Sequence, residues 1–328
     1  MRRNAVVAER PGRLGDVLAL RRLTVPEPPG AGEVDVRMLA ATLNPSDVVT
    51  VSGAYGSRTT FPFTPGFEGV GVIERVGSGV PDRAIGRRVL PIGSAGNWQE
   101  VKRADHSWCV PVPDDITDTM ACFAYINPLT ALLMVRRHCS GPVRNVAITA
   151  ATSTIAGHLA ELLALRGVRP IGLTRGTPGR TVADPRLWAT VIDTGESAWP
   201  ERFREAASEE GVDVVLDCVG GAQGAVLMRE LSPGGMLVHY GLLSGEPLPP
   251  ECFAGRAGRR VEMFRLRDTV HTYARERLPE LFSPVFERLR AGRLRSRVVE
   301  ELPLTRLPEA LRGGSGGGPG KTLISCTR

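Results

Sequence analysis

Several patterns are missing from this chain of 328 residues, and each missing pattern excludes a class of protein. No apolar run approaches the length of a membrane span, and the first residues have no apolar core of the kind found in signal peptides. We therefore expect a cytoplasmic protein that does not associate with membranes. The six cysteines form no CxxC pair, which excludes a zinc knuckle and argues against a disulfide framework.

Lysine is also scarce, since all but two of the 41 basic residues are arginines. The exceptions are Lys102 and Lys321. The net charge is +6, but the arginines are interspersed with Asp and Glu, so the sequence shows no concentrated phosphate-binding stripe. We expect no nucleic-acid partner.

Aromatic residues make up only 5% of the chain, and one of its four tyrosines lies in the segment "SGAYG". Small residues flank Tyr55 on both sides, which favours an exposed hydroxyl on a bendable backbone. A turn tyrosine that packs on its own loop is the plain alternative.

The pattern of apolar residues divides the chain into two kinds of structure. Residues 1–120 contain short alternating runs such as "VDVRMLA" and "GVGVIERVG", which predict a mostly antiparallel β domain. From residue 121, apolar strands alternate with helical segments such as "TIAGHLAELLALRG", which predicts a doubly wound parallel sheet. We predict one domain from residues 1–120 and 267–328, and a second from residues 121–266. The predicted strands of the second domain are "NVAITAA", "RPIGLTR", "ATVIDT", "VDVVLDCVG", "GMLVHYG" and "VEMFRL".

The first strand–helix turn of a doubly wound sheet is where phosphates bind. Here this turn is "AATSTIAG", residues 150–157, which keeps only the last glycine of a GxGxxG pattern. The backbone amides of Ser153 to Ala156 are candidates to bind a pyrophosphate. A helix N-cap without a ligand would explain the same Ser and Thr residues.

The end of the second strand bears on the choice of cofactor. Enzymes that use NAD usually carry Asp or Glu there, whereas this chain has Thr174-Arg175, followed by Arg180. An arginine at this place favours a 2′-phosphate and therefore NADPH. A surface arginine at a strand end is the alternative.

The segment "GFEGVGVIERVGSGV…GRRVLPI" resembles the β domain of the medium-chain dehydrogenase/reductase superfamily. The zinc-dependent members carry Cys and His-Glu where this chain has Asn44-Pro45 and Phe67-Glu68, and they often carry a four-cysteine lobe that is absent here. The resemblance implies a GroES-like β-rich catalytic domain, a Rossmann domain, and no metal site, because these positions cannot supply three protein ligands.

Five segments resemble the 2-enoyl thioester reductases of mitochondrial fatty-acid synthesis. The specific element is the combination of Tyr55 with the motif "NPLT" at Asn127 to Thr130, because the related quinone reductases usually lack both. The five segments are "LNPSDVVTVSGAYG", "GNWQE", "INPLTALLM", "DCVGGAQG" and "YGLLSGEPL".

The resemblance implies roles for individual residues. Tyr55 is the proton donor, or the hydroxyl that holds the thioester carbonyl, while hydride adds to the β-carbon. Asn44 and Trp98 lie beside the nicotinamide and the substrate, with core packing as the alternative for Trp98. The implied cofactor contacts are Asn127, Thr130, Ser153, Thr154, Ile155, Ala156, Thr174, Arg175, Tyr240, Gly241, Leu242, Leu243, Phe264, Arg265, Leu266 and Lys321.

We therefore expect a homodimeric enzyme that uses NADPH to reduce an activated C=C bond, with a 2-enoyl thioester as the small-molecule substrate. The alternatives are a quinone or free α,β-unsaturated carbonyl reductase of the same fold, and a non-catalytic NADPH-binding protein. Arg265 replaces an aromatic residue of the resembling family, which favours a short or anionic substrate unless this arginine turns outward and pairs with Asp268 or Glu262.

Overall fold

The computed structural model describes residues 2–25, 27–54, 59–176, 181–316 and 320–327. The chain forms two compact units, one from Met1–Ile126 with Val270–Arg328 and the other from Asn127–Thr269. The second unit begins a few residues later than the predicted domain. The structure gives the reason, because the backbone amides of Tyr125 and Ile126 bind the carboxylate of Glu68 in the first unit.

The first unit contains a seven-stranded sheet that is antiparallel except for one pair of strands. Its strand order is β14-β15-β3-β4-β5-β7, with β6 paired to β3, while β1 and β2 form a separate antiparallel pair. The elements of this unit are β1 (Arg2–Ala8), α1 (Leu14–Val17), β2 (Leu18–Thr24), β3 (Glu33–Thr42), α2 (Pro45–Val51), β4 (Gly69–Val76), β5 (Arg88–Pro91), β6 (Val101–Asp105), β7 (Cys109–Pro111), α3 (Asp118–Cys122), α9 (Leu278–Arg290), β14 (Val298–Pro303), α10 (Leu307–Arg312) and β15 (Lys321–Ser325).

The core of this unit is built on strand β3, which pairs with three other strands. Alternate side chains of β3, namely Val34, Val36 and Met38, are fully buried, as the alternating pattern of a strand requires. Ile73 and Trp98 pack in the same apolar cluster. This packing holds the end of β3 and the start of α2 in place, where Asn44 lies.

The second unit contains a six-stranded parallel sheet with the order β10-β9-β8-β11-β12-β13. Numbered within the unit, this is the order 3-2-1-4-5-6 of doubly wound dinucleotide-binding folds. The elements are α4 (Ile126–His138), β8 (Val146–Ile148), α5 (Thr154–Ala164), β9 (Ile171–Thr174), β10 (Thr190–Asp193), α6 (Trp199–Ala207), β11 (Val212–Asp217), α7 (Gly221–Arg229), β12 (Leu231–His239), β13 (Arg260–Met263) and α8 (Leu266–Thr272).

The predicted α/β fold class is confirmed, with one β-rich unit and one doubly wound parallel-sheet unit. One strand prediction needs correction, because "VEMFRL" is a strand only as far as Met263 and Leu266 already begins helix α8. In the described part of the chain, no helix has both the length and the apolar character needed to cross a membrane.

Candidate functional site

Asn44 is the N-cap of helix α2, and its position follows from local sequence. Pro45 occupies the first helical position, where its missing N–H costs nothing. The backbone N–H of Asn44 donates to Asp47 Oδ2 at 2.8 Å, as in a capping box. Asp47 Oδ1 accepts from the amides of Gly66 and Phe67 at 3.1 and 3.2 Å. One buried carboxylate therefore ties Asn44 to the segment before β4.

The carboxamide of Asn44 lies between a basic and an acidic side chain. Its Nδ2 donates to Glu68 Oε2 at 3.0 Å, and Lys321 Nζ donates to its Oδ1. Glu68 Oε1 accepts from the backbone amides of Tyr125 and Ile126 at 3.0 and 2.7 Å. Asn44, Glu68, Lys321 and Asp47, which we call the Asn44 cluster, are all buried.

Burial sets the electrostatics of the Asn44 cluster. It raises the pKa of Asp47 to about 7, against the effect of three backbone hydrogen bonds and the nearby Lys321. Burial also raises the pKa of Glu68 and lowers the pKa of Lys321, and in both cases the opposite charge of the other group works against the shift. The cluster is therefore a set of opposite charges that partly offset one another's desolvation.

Trp98 is fully buried in the core of the first unit. Its indole N–H donates to the carbonyl oxygen of Thr42 at 3.0 Å. Gly66 has a φ of +96°, and a Cβ at that position would lie 2.5 Å from Trp98 Cδ1. The ring therefore packs against the backbone of Gly66, and the geometry supports the core-packing alternative for Trp98.

Two parts of the predicted site lie outside the described residues. These are Tyr55, the predicted proton donor, and Arg180, the second candidate for a 2′-phosphate. Among the described residues, the His, Cys, Asp and Glu side chains form no group of three or more that could hold a metal ion.

In the second unit, the turn between β8 and α5 lies at the carboxyl end of the sheet. Ser153 is the N-cap of α5, and its hydroxyl accepts from the amide of Ala156 at 3.3 Å. Ala150 has a φ of +50°, a left-handed conformation that normally favours glycine. The first amides of α5, which include those of Thr154 and Ile155, have no acceptor within the helix itself. This turn fits a pyrophosphate, because an anion at a helix N-terminus meets free N–H groups.

The end of β9 carries Thr174, which is half-buried, and Arg175, which is exposed. The carbonyl oxygen of Thr174 accepts from the amide of Thr194 at 2.6 Å. Asp193, which ends the neighbouring strand, is not among the site residues predicted from the sequence. A Cβ at Gly176 would lie 1.7 Å from Asp193 Oδ2, so this carboxylate rests against the backbone that follows β9. Only the pairing of β9 with β10 shows this proximity.

The loops after β11 and β12 are joined by hydrogen bonds. The amide of Tyr240 donates to the carbonyl oxygen of Asp217 at 2.8 Å, and that of Leu243 donates to Cys218 O at 2.9 Å. Burial raises the pKa of the Tyr240 phenol well above its ordinary value. His239 Nδ1 lies 2.8 Å from Asp217 Oδ2, and both side chains are buried. This pair is not predictable from the sequence, because the two residues meet only through the register of β11 and β12.

The remaining predicted contacts differ in exposure. Phe264 is buried, whereas Arg265 is exposed and its Nε donates to Asp268 Oδ2 at 2.8 Å. This is the outward-facing alternative for Arg265, and it removes the argument for an anionic substrate. Leu266 begins α8, and Gly241 and Leu242 lie in the loop after β12 with Tyr240 and Leu243. Asn127 and Thr130 lie in the first turns of α4.

The structure therefore groups most of the predicted cofactor contacts in the second unit, at strand ends and in the first turns of helices. Lys321 is the exception, since it belongs to the Asn44 cluster of the first unit.

Comparisons with known proteins agree with this architecture. Residues 30–114 match the family described as alcohol dehydrogenase GroES-like domain, and residues 188–323 match the family described as zinc-binding dehydrogenase. The chain is 29% identical over 282 residues to the mitochondrial enoyl-[acyl-carrier-protein] reductase of Bos taurus, which covers 84% of this chain and 76% of that protein. The human enzyme of the same name is 28% identical over 310 residues, covering 92% of this chain and 83% of that protein.

A solved structure from Bacillus thuringiensis, named as an NADPH:quinone reductase, is also similar. It is 30% identical in sequence, covers 99% of both chains and superimposes with a TM-score of 0.90. The fold, the match to both domain families and this full-length similarity lead to one conclusion: the chain belongs to the medium-chain dehydrogenase/reductase superfamily.

Proposed function

We propose that this protein uses NADPH to reduce an activated C=C bond, and that its substrate is a 2-enoyl thioester. The observation that carries the proposal is the Asn44 cluster. Where zinc-dependent members of the superfamily carry a cysteine, this chain has an asparagine whose carboxamide is bound by Lys321 and Glu68. An amide N–H polarises a substrate carbonyl by hydrogen bonding, which suits a conjugated alkene whose carbonyl oxygen gains charge during reduction.

The second unit supplies the groups that would hold the cofactor. The amides at the start of α5 would bind the pyrophosphate, and Arg175 would pair with the 2′-phosphate. The remaining contacts would come from Tyr240 to Leu243, from Phe264 and Leu266, and from Asn127 with Thr130, whereas Arg265 pairs with Asp268. When bound, NADPH supplies the hydride that adds to the β-carbon of the alkene.

Tyr55 and Asn44 act on the carbonyl side of the substrate. The Tyr55 hydroxyl donates to the carbonyl oxygen or delivers a proton to the α-carbon, a contribution of about 10²- to 10⁴-fold in rate. Asn44 adds a second donor at the same oxygen. Trp98 has only a supporting role here, because its N–H is already bound to Thr42.

Reduction of quinones or of free α,β-unsaturated carbonyls is the second candidate. It is favoured by the similarity over the whole chain to the protein named as an NADPH:quinone reductase. The combination of Tyr55 with the motif of Asn127 to Thr130 argues for the thioester instead, since quinone reductases usually lack both.

The test is NADPH oxidation measured with a crotonyl thioester, a quinone and a free enal. We expect the thioester to have the highest kcat/KM, and Tyr55→Phe to lower its turnover by about 10²-fold while NADPH binding is kept. Tyr273→Phe, which removes a hydroxyl from a tyrosine outside the proposed site, is the matched control. Full turnover in the Tyr55→Phe variant would show that the Tyr55 hydroxyl has no catalytic role. A higher kcat/KM for the quinone than for the thioester would favour the second candidate function.

A further inference from the structure

We infer that Lys321 and Glu68 are positioning residues that lock the Asn44 carboxamide in one orientation, so that one of its amide N–H groups is left for a substrate oxygen. The inference rests on the proposed function, in which Asn44 acts on the substrate carbonyl. It gives Lys321 a role through Asn44 instead of the direct cofactor contact that the family resemblance implies.

The orientation follows from what each neighbour can do. A carboxamide has two N–H donors on one side and an acceptor oxygen on the other. Lys321 has donors only, so it accepts no N–H and must face Oδ1. Both oxygens of Glu68 receive N–H groups, two from the backbone and one from Asn44. A flipped carboxamide would place N–H against the ammonium and oxygen against the carboxylate, so the two neighbours together exclude it.

The cluster is also held rigidly. Asn44 is 1% exposed, Glu68 is 2% exposed and Lys321 is 5% exposed, so water does not compete for these contacts. Each residue stands at a fixed point of the backbone. Asn44 caps α2, Lys321 begins β15, and Glu68 is bound by two amides at the start of α4. Side chains fixed in this way hold a catalytic group within the narrow tolerance that catalysis requires.

Hydrogen-bond capacity shows what remains for a ligand. Among the described residues, the side-chain nitrogen of Asn44 uses one of its two N–H groups, on Glu68. The second N–H is therefore the donor that the locked carboxamide presents. Without Lys321 the carboxamide loses the ammonium that binds its oxygen and keeps the hydrogen bond to Glu68. Its second N–H is then held less firmly in the catalytic orientation.

The two roles for Lys321 predict different kinetics. A direct contact with the cofactor would weaken NADPH binding when Lys321 is removed. A positioning role would lower kcat, leave the Kd for NADPH unchanged, and have no effect once Asn44 itself is gone.

The experiment is a double-mutant cycle of Lys321→Met and Asn44→Ala, with kcat on the best alkene and the Kd for NADPH measured for each variant. We expect each single variant to lose about 10- to 100-fold in kcat, with an unchanged Kd. The double variant should be no slower than Asn44→Ala alone. Lys321→Gln, which keeps a donor, should recover part of the loss.

Lys102→Met is the matched control, because it removes the other buried lysine of the chain without touching the Asn44 cluster. It should keep kcat. Independent losses that multiply in the double variant would overturn the inference, as would a Lys321→Met variant with full kcat and weakened NADPH binding.

A second measurement separates this inference from the proposed function. If the wild-type protein reduces none of the alkenes, the proposed function fails, and the side-chain amide resonances of Asn44 then test the inference by NMR. In wild type and Lys102→Met, we expect the two Nδ2 protons to be distinct and slow to exchange. Lys321→Met should shift them and speed their exchange, and unchanged Asn44 resonances would contradict the locked carboxamide.

Discussion

At the residue scale, the two lysines of the chain are both buried, although all of the other Lys and Arg positions are arginines. Lys102 Nζ donates to the carbonyl oxygens of Pro91 and Ser94 at 2.8 and 2.7 Å and lies 3.3 Å from Asn97 Oδ1. A compact ammonium fits such a narrow set of acceptors, whereas the planar guanidinium of arginine does not. Both lysines of this chain are therefore enclosed among oxygen acceptors that suit a compact amino group.

The burial of Lys102 predicts a pH dependence of stability. Desolvation lowers the pKa of Lys102 from 10.5 to about 7. Between these values the unfolded chain binds more protons than the folded chain, so the contribution of Lys102 to stability increases as the pH rises through this window. We expect the free energy of unfolding of wild type, relative to Lys102→Met, to be larger at about pH 9 than at about pH 6. Chemical denaturation of both proteins measures this, and a difference that does not change with pH would contradict it.

A substitution of Arg175 tests, also at the scale of one residue, whether the protein prefers NADPH over NADH. It is exposed at the end of β9, where a charge-assisted bond to the 2′-phosphate is possible. We expect Arg175→Ala to raise the KM for NADPH by about 10-fold and to leave the KM for NADH nearly unchanged, because only NADPH carries the 2′-phosphate. Arg186→Ala removes another exposed arginine of the same unit and is the control. Equal losses with both cofactors would mean that Arg175 does not contact the 2′-phosphate.

At the element scale, the turn between β8 and α5 contains a residue in an unfavourable conformation. Ala150, at a φ of +50°, adopts the left-handed conformation that normally favours glycine. The helix that follows is well formed nevertheless, because Ser153 caps it and its apolar side packs on the sheet. Packing of the helix thus stabilises a turn that its own sequence does not favour.

We expect Ala150→Gly to raise the free energy of unfolding by roughly 0.5–1 kcal/mol. The left-handed conformation costs an L-residue about 1–2 kcal/mol, and glycine avoids this cost. The greater flexibility of glycine in the unfolded chain offsets part of the gain in stability. Ala151→Gly is the control, because Ala151 is buried, has no positive φ and packs against the strand that follows. It should lower the free energy of unfolding. Denaturant titrations compare the variants, and destabilisation by Ala150→Gly would show that its Cβ contributes packing.

At the scale of the whole molecule, the parallel sheet ends in strands β10 and β13. Strand β13 is short and carries Met263, which is 60% exposed, and within the described part of the chain it pairs only with β12. Such an edge presents free backbone N–H and C=O groups beside an exposed apolar side chain, so it can pair with a strand of another molecule. We predict that two copies of the chain pair through β13 across a two-fold axis. This pairing covers the β13 edge of each copy.

A single substitution tests this dimer. The amide of Phe264 donates to His239 O on β12, and amides alternate in direction along a strand, so the amide of Val261 points to the open edge. Val261→Pro removes this donor and leaves the bonds to β12 in place. We expect wild type to have about twice the monomer mass of 35.2 kDa by light scattering, and Val261→Pro to be a monomer. Val191→Pro makes the same change on β10, at the opposite edge, and should stay dimeric. A monomeric wild type at micromolar concentration would contradict the prediction.

The sequence alone determined the fold class and most of the strands, because both depend on periodicity. Alternation in "VDVRMLA" and the apolar runs of the second unit reflect local geometry, which each segment shows without its neighbours. The same holds for the turn at Ser153, where an N-cap residue and the following helix are adjacent in sequence. The end of β13 was misplaced, since Phe264 is buried and apolar although it lies outside the strand.

Only the tertiary structure decided which side chains meet. Asn44, Glu68 and Lys321 are far apart in sequence, and they come together because β15 pairs with β3 and the segment before β4 folds against the start of α2. The pair of Asp217 and His239, and the position of Asp193 beside Gly176, likewise depend on strand register. The pKa shifts of the Asn44 cluster arise from burial, which is a property of the packed chain. Periodicity is local and can be recognised in one segment, whereas a contact between distant residues exists only when the whole fold brings them within hydrogen-bond distance.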